Sequence, residues 1–560
     1  MTNYQFTGGT ICAPATIPGT GAISIIRVSG KEALAIADKV IDTKGVPFAE
    51  TEGYRLRYGT VFEADGSILD NVIVSVFRAP HSYTGENSVE ISCHASRFIV
   101  NKILELLVNA GARIAAPGEF TRRAFVNGKM DLAQAEAVAD VIASQSAASH
   151  RVAMNQLKGG FSSELKVLRE KLLTMTSLLE LELDFSEEDV EFASRKELGQ
   201  LVDDSLTHIG RLTASFSRGN AIKNGVPVAI VGATNTGKST LLNALLGEER
   251  AIVSDIAGTT RDTIEETLNI DGILFRFIDT AGIRETDETI EKIGIDRTFK
   301  KLGEAAVVLG MTDLSRGEAA VLEDADFILS KVNEMGGVKN VAAVNDGSET
   351  GGASLAETGV AHPAETGVAS LAGTDGTSLA ETGVASQHGH GAGQERKVVI
   401  LVNKCDVAGD FYRDDDGTGY GSGNDLGENI AEIGGNKNIN HDNNIVSLIE
   451  NKYDNCKVIP ISAKTGKGLS TLTKTLGEIG SEITGSTDET LVTNVRHYEA
   501  LVRAASALER VRAGLHIATL PPDLIAQDLR EALYHLGEIV GEISTDETLG
   551  NIFRNFCIGK

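Results

Sequence analysis

A chain of 560 residues is longer than an ordinary single domain, and its 42% apolar content is ample for several buried cores. Its formal net charge of −26 excludes a general polyanion-binding surface, although a local basic patch could still meet RNA. Five cysteines (Cys12, Cys93, Cys405, Cys456 and Cys557) have no paired metal spacing and no signal peptide before them, which fits a reducing, cytoplasmic setting; no apolar run approaches the roughly 18 residues of a membrane span.

Residues 1–117 read as an α+β domain, with strands at 22–28 and 71–77 and helical periodicity at 98–107. Pro117-Gly118 marks a boundary, and 118–222 turns helical. The stretch 131–149 is alanine-rich and favours helix. Leu165, Leu168, Leu172, Met175, Leu179 and Leu183 recur at three- and four-residue steps, the core stripe of a bundle. The acidic run 184–189 is expected to be a solvated turn rather than a metal site.

The next domain, about 223–480, carries the chemistry. The apolar run 226–231 precedes Gly232-Ala233-Thr234-Asn235-Thr236-Gly237-Lys238-Ser239, and the helix-like Thr240-Leu241-Leu242 follows. Strand, glycine-rich loop and helix is the context of a phosphate-binding loop. There Gly237 and its neighbours turn N–H groups toward phosphate, Lys238 reaches the β- and γ-phosphates, and Ser239 binds Mg²⁺. Thr260, in Gly258-Thr259-Thr260-Arg261-Asp262, is expected to supply a second Mg²⁺ hydroxyl. In Asp279-Thr280-Ala281-Gly282, Asp279 holds Mg²⁺ through water and the Gly282 N–H senses the γ-phosphate. Asn403-Lys404-Cys405-Asp406 follows an apolar strand, and Asp406 can accept both N1–H and N2–H₂ of guanine, which adenine does not offer. Ser462-Ala463-Lys464 supports the base. The order and context of these pieces predict a GTPase that prefers GTP to ATP.

Two segments in this domain differ in composition. Residues 345–395 hold near-repeats with seven acids and no Lys or Arg, and 410–448 hold eight acids against two bases; together they carry half of the excess charge. Both are expected to be disordered insertions without a role of their own. Residues 485–560 return to helix, around 496–501 and 523–541. A helical bundle into which the GTPase domain is inserted is therefore expected.

The N-terminal Thr10-Ile11 with Ala15-Thr16, Pro80-His81-Ser82-Tyr83-Thr84-Gly85-Glu86, Pro117-Gly118-Glu119-Phe120-Thr121, the run from Arg123 to Lys129, and the terminal Phe556-Cys557-Ile558-Gly559-Lys560 are specific. With the GTPase motifs, they make nearly the whole chain, insertions excepted, resemble the bacterial and organellar tRNA-modification GTPases that act on wobble uridine. The absence of a transit peptide favours a bacterial source. The resemblance implies a multidomain fold, α+β and α/β, with an N-terminal folate-binding domain, a helical bundle and an inserted Ras-like P-loop GTPase domain. It implies a homodimer formed through the N-terminal domain, and 5-formyl-tetrahydrofolate contacted by Arg27, Glu90, Lys129 and Lys560. It further implies an FAD-dependent partner, joined in a heterotetramer, with which a carboxymethylaminomethyl or aminomethyl group is placed on uridine C5 of tRNA. Cys557 is apolar on both sides, which favours packing over catalysis.

Ile283 stands where many GTPases carry a water-orienting glutamine, and isoleucine cannot orient water. The resemblance supplies the substitute. Asn235, Ser254, Ile256 and Thr259 match a K⁺ site, with Ser254 in place of the family's threonine but keeping the oxygen. Glu291 matches a remote acid acting on the attacking water. The alternative from the GTPase motifs alone is a ribosome-assembly or signalling GTPase switch, or a folate-binding module with a regulatory GTPase.

Overall fold

The computed structural model describes residues 8–184, 194–249, 266–278, 305–334, 396–406, 445–453, 456–485, 489–516, 521–543, 546–554, 556 and 559. Its contacts divide it into two compact units, one of residues 1–225, 269–274 and 480–560, the other of residues 226–268 and 275–479.

In the first unit, strands β1 (Ile11–Pro14), β2 (Gly21–Ser29), β3 (Ile41–Asp42), β4 (Arg55–Phe62), β5 (Ile68–Phe77), β6 (Ser88–Ala95) and β7 (Arg113–Ile114) form one sheet. Its order is β3-β4-β5-β6-β2-β1-β7. Along β5, Val72, Val74 and Val76 are buried while Asn71 and Ile73 are exposed, the period of two expected of a sheet covered on one face. The helices Ala33–Val40 and Arg97–Asn109 provide the cover: Leu34, Ile36, Ile103 and Leu107 share a core with those valines and Phe48.

The leucine stripe forms the core of a helical region in the same unit. Leu165, Leu168, Leu172 and Leu179 of the helix Gly160–Asp184 pack with Leu198, Val202 and Ile209 of Arg195–Ala214. They also meet Leu501 and Leu508 of Val495–Leu515 and Leu529 and Leu536 of Pro522–Val540. Burying each such side chain fully is worth about 1.5–3 kcal/mol, so two helices before the second unit and two after it are held as one core. The alanine-rich stretch 131–149 forms two helices, Leu132–Ala143 and the start of Ala147–Leu157. Ser146 accounts for the break: its hydroxyl accepts the Ser149 N–H and the Ser149 hydroxyl accepts the Ser146 N–H, each at 3.1 Å, a reciprocal cap that starts a new helix.

Strands β8 (Val226–Gly232), β9 (Glu266–Ile270), β10 (Ile273–Ile278), β11 (Val307–Asp313), β12 (Lys397–Asn403) and β13 (Cys456–Pro460) form a sheet of order β13-β12-β11-β8-β10-β9, all of it in the second unit except residues 269–274 at the β9–β10 turn. The strands from β10 to β13 across β8 are parallel to their neighbours. β11 is buried along its whole length and β12 along all but its first residue, as in a sheet with both faces covered. β9 and β10 join through Asp271-Gly272, both with positive φ, the turn of a tight hairpin. Strand order reverses at β8, and ligands of such sheets bind beyond the carboxyl edge at that switch.

One sequence expectation needs correction. The segment 410–448 is not unstructured to its end: the helix Ile445–Lys452 begins inside it, with Ile445 and Ile449 buried in the second unit's core. Its apolar spacing was hidden by the Asp, Gly and Asn content of what precedes it. Residues 345–395, 410–444 and 185–189 lie outside the described residues. Among the described residues no helix is long and apolar enough to cross a membrane.

Candidate functional sites

The parallel register brings three chain segments to one edge of the second unit's sheet. Gly232 ends β8 beside Met311 of β11, and Asp313 ends β11 beside Asn403, which ends β12. The loops after these ends therefore emerge side by side.

The loop from Gly232 to Gly237 leads into the helix Lys238–Glu249. Its glycines are dictated by space. A Cβ on Gly232 would come within 2.3 Å of the Met311 carbonyl, one on Gly237 within 2.5 Å of Asn403 Nδ2, and both have positive φ. Asn235 is left-handed too, at φ 63°. Thr236 is buried, and its hydroxyl donates to the Ala233 carbonyl at 2.9 Å. Lys238 folds over the loop, with Nζ donating to the carbonyls of Gly232 (2.9 Å) and Ala233 (2.7 Å). Burial lowers the Lys238 pKa, and phosphate oxygens would supply a counter-charge to the ammonium. Ser239 is half-buried and Thr240 exposed at the helix start. The cradle and its cation fit a phosphate chain.

Asn403 ties this loop to a second one. Its Nδ2 donates to the Thr236 carbonyl at 2.7 Å, and its Oδ1 accepts the Ala463 N–H at 3.0 Å. One buried amide thus joins the phosphate loop to the Ser462-Ala463-Lys464 turn, in which Ser462 and Ala463 are buried and Lys464 is exposed. Asp406 is exposed at the outer end of its loop. Cys405 Sγ donates to the Ile461 carbonyl at 2.7 Å, and burial raises that thiol's pKa. Lys404, at φ 65°, places Nζ 2.6 Å from Asp313 Oδ2. Sequence reasoning assigned nothing to Asp313; the signal it carried was a carboxylate closing an apolar strand at the ligand edge.

In the first unit, Arg27 of β2 and Glu90 of β6 are cross-strand neighbours. Arg27 Nε and Nη2 reach Glu90 Oε1 at 2.9 and 2.8 Å, and the guanidinium lies 5.1 Å from the ring centre of Tyr83 and 5.6 Å from that of Phe120. Arg27 Nη1 donates to the Gly559 carbonyl at 3.5 Å. Gly559 has φ 98° and lies so close to β1 that a Cβ would be 2.0 Å from the Pro14 carbonyl. Lys129 meets the other end of the Pro80–Glu86 loop, with Nζ donating to the Pro80 carbonyl at 3.1 Å. Arg27 and Glu90 are thus brought together, and Lys129 borders the loop whose Tyr83 faces Arg27.

That loop is held by a buried charged group that the sequence did not disclose. Arg123 Nη1 reaches both Glu86 oxygens at 3.1 and 3.0 Å, while Nη2 reaches Glu119 Oε1 at 3.0 Å and the Gly9 carbonyl at 2.8 Å. Burial alone would raise the Glu119 pKa, but hydrogen bonds from Arg113, the Ala116 N–H and Arg123 outweigh it and hold the carboxyl below its usual range. Tyr83 Oη shares a hydrogen bond with the Thr121 hydroxyl at 2.8 Å, and Asn127 Nδ2 donates to the Thr84 carbonyl at 2.7 Å. The 80–86 and 117–129 signatures are two halves of one hydrogen-bonded construction. The opposite charges within them were the available sign.

Ser254, Ile256, Thr259, Thr260, Asp279, Gly282, Ile283, Glu291, Cys557 and Lys560 lie outside the described residues. Among the described residues no group of three His, Cys, Asp or Glu side chains is gathered for a metal.

Comparison with known proteins agrees with these motifs. Residues 10–129 match the family model of the GTP-binding protein TrmE N-terminus, and residues 132–557 match that of the MnmE helical domain. The tRNA modification GTPase MnmE of Parabacteroides distasonis is 44% identical over 558 residues, covering 98% of this chain and 100% of that one. The protein of the same description from Bacteroides thetaiotaomicron is 43% identical over 554 residues, covering 98% and 99%. That from Porphyromonas gingivalis is 41% identical over 561 residues, covering 100% and 99%. With both family models matched and full-length relatives at this identity, the chain belongs to the MnmE family of tRNA modification GTPases.

Proposed function

We propose that this chain is a K⁺-activated GTPase that installs a carboxymethylaminomethyl or aminomethyl group on C5 of the wobble uridine of certain tRNAs. It works in the cytoplasm as a homodimer, in a heterotetramer with an FAD-dependent partner, and takes a one-carbon unit from 5-formyl-tetrahydrofolate. The observation that carries the GTPase reading is the Asn403 amide, which bonds at once to the phosphate loop and to the Ala463 turn. Phosphate and base recognition are thereby fixed at one spacing.

Each residue has a role in this reading. Gly232 and Gly237 let the backbone close on the phosphates, and Lys238 exchanges its loop carbonyls for phosphate oxygens. Ser239, with Thr260, holds Mg²⁺, and Asn235, with Ser254, Ile256 and Thr259, holds K⁺. Bound there, the two cations would supply positive charge to the phosphates. Asp406 reads the guanine edge, and Glu291 acts on the attacking water. Arg27, Glu90, Lys129 and Lys560 form the folate site, for which the half-buried ring of Tyr83 beside Arg27 suits a flat pterin ring.

The test is nucleoside analysis of tRNA from a deletion strain carrying either the wild-type gene or Asp406→Asn. Restoration of the modified wobble uridine by the wild type and its loss with the variant support the reading. An unmodified level that ignores both genes overturns it.

A further inference from the structure

We propose that Asp313 is a positioning residue for guanine recognition: by holding the tip of Lys404, it fixes the loop that presents Asp406. This rests on the GTPase reading above.

Asp313 is the last residue of β11, buried, and in register with Asn403 at the end of β12. Its two oxygens do different work. Oδ1 accepts the Ser315 N–H at 3.0 Å and the Ser315 hydroxyl at 2.6 Å, capping the short turn Leu314–Arg316. That fixes the carboxylate and leaves Oδ2 facing Lys404 Nζ at 2.6 Å. Burial alone would raise the Asp313 pKa; hydrogen bonds from Lys404 and Ser315 outweigh it, so the carboxylate stays charged opposite the ammonium.

Lys404 needs such a restraint. Its left-handed backbone is unfavourable for an L-residue, and it persists only where the surroundings determine it. On one side Asn403 is clamped to Thr236 and Ala463. On the other, Cys405 donates to the Ile461 carbonyl through its N–H (3.3 Å) and its Sγ (2.7 Å). Asp313 holds the side chain between them. With its tip fixed, the lysine stem spans from the loop back to β11, and Asp406 projects two residues on from a backbone that cannot swing. A carboxylate that must accept two guanine protons at once tolerates little rotation, whereas the phosphates are held separately by residues 232–238. Loosening Lys404 should therefore blunt base discrimination.

Asp313→Asn is the informative substitution. It keeps an oxygen for Ser315 and removes the charge facing Lys404. The full chain is titrated with a fluorescent GDP analogue and competed with GDP and with IDP, whose base lacks the N2 amino group. Wild-type protein that binds no guanine nucleotide would sink the GTPase reading itself. If the wild type binds, Asp313→Asn is expected to weaken GDP about tenfold, to narrow the preference for GDP over IDP, and to add nothing in a Lys404→Met background. Asp313→Glu, which keeps the charge, should restore part of the preference. An unchanged GDP-to-IDP ratio, or full additivity with Lys404→Met, overturns the proposal. Should Asp313→Asn not fold, Lys404→Met, which leaves the Ser315 cap in place, must narrow the same ratio; a wild-type ratio there also overturns it.

Discussion

Glu136 Oε1 accepts Arg496 Nε and Glu136 Oε2 accepts Arg496 Nη2, each at 3.0 Å, although the two residues lie 360 positions apart. Glu136 Oε2 is also 2.6 Å from His497 Nε2. Arg496 continues to the carbonyls of Glu538 (2.7 Å) and Ile539 (3.1 Å) at the end of the helix Pro522–Val540. A helix before the second unit is thus joined by buried charge to two helices after it.

This pair sets a pH dependence. Burial alone would raise the Glu136 pKa, but the charge and hydrogen bonds of His497 and then Arg496 bring it down to about 2. A free glutamate titrates near about 4.3. A carboxyl depressed by folding contributes its full stability above that value and loses it as pH falls to about 2. Glu136→Gln is expected to destabilise the first unit by about 3–5 kcal/mol at pH 7, because it leaves Arg496 without its counter-charge. It should also flatten the loss of stability between those pH values. Calorimetric melts across that range check it; superimposable curves at pH 7 would take the pair out of this role.

Asp406→Asn is expected to weaken GTP binding strongly, since two acceptors become one acceptor and one donor. Relative affinity should shift toward xanthosine nucleotides, whose base offers an acceptor at that edge. The Asn403 clamp does not involve Asp406, so phosphate contacts should survive. Calorimetric titration with GTP and with XTP measures both, and an unchanged GTP affinity removes Asp406 from base recognition.

The proposed folate site gives two distinguishable losses. Lys129→Ala and removal of Lys560 should each lower 5-formyl-tetrahydrofolate affinity while GTP binding stays intact. Arg123→Met acts differently. It removes the cation shared by half-buried Glu86 and buried Glu119, which keeps only Arg113, so it should lower stability as well as folate affinity. Equilibrium dialysis with the folate, alongside thermal melts, separates the two; Arg123→Met with wild-type stability would show that the buried charges do not hold the loop.

Which parts were legible in the sequence follows from the range of each interaction. The phosphate loop and the Asn403-to-Asp406 motif are contiguous, so spacing alone exposes them. The leucine stripe is legible because helical periodicity is local, and Leu165 to Leu179 pack as it implies. Asp313 with Lys404, and Glu86 with Arg123, are not legible, because strand register and helix placement decide which distant charges meet. The Ser146 cap is local but was outweighed by the alanines around it. Ile445 and Ile449 were lost in the polar composition upstream.

The cation requirement gives the last prediction. Hydrolysis is expected to be fast in K⁺ and slow in Na⁺ at matched ionic strength, because Ile283 cannot orient water and a bound cation would stand where an arginine finger otherwise acts. Such a charge is worth about 10³–10⁵ in rate. Matching ionic strength matters for a chain of net charge −26, whose surface fields are screened by any salt. Asn235→Ala should abolish the K⁺ advantage while sparing nucleotide binding, since Lys238 and the loop still hold the phosphates. The left-handed φ of 63° at Asn235 complicates that variant, because alanine there is strained. Asn235→Gly accepts the same backbone without cost and still removes the side-chain oxygen. If both variants lose the K⁺ advantage, the oxygen is responsible; if only the alanine does, the backbone is. Glu291→Ala should slow hydrolysis in both salts, since its proposed role is toward water and not toward the cation. Single-turnover hydrolysis in each salt is the measurement. Equal wild-type rates in K⁺ and Na⁺ would discard the cation mechanism and point instead to an arginine supplied by a partner.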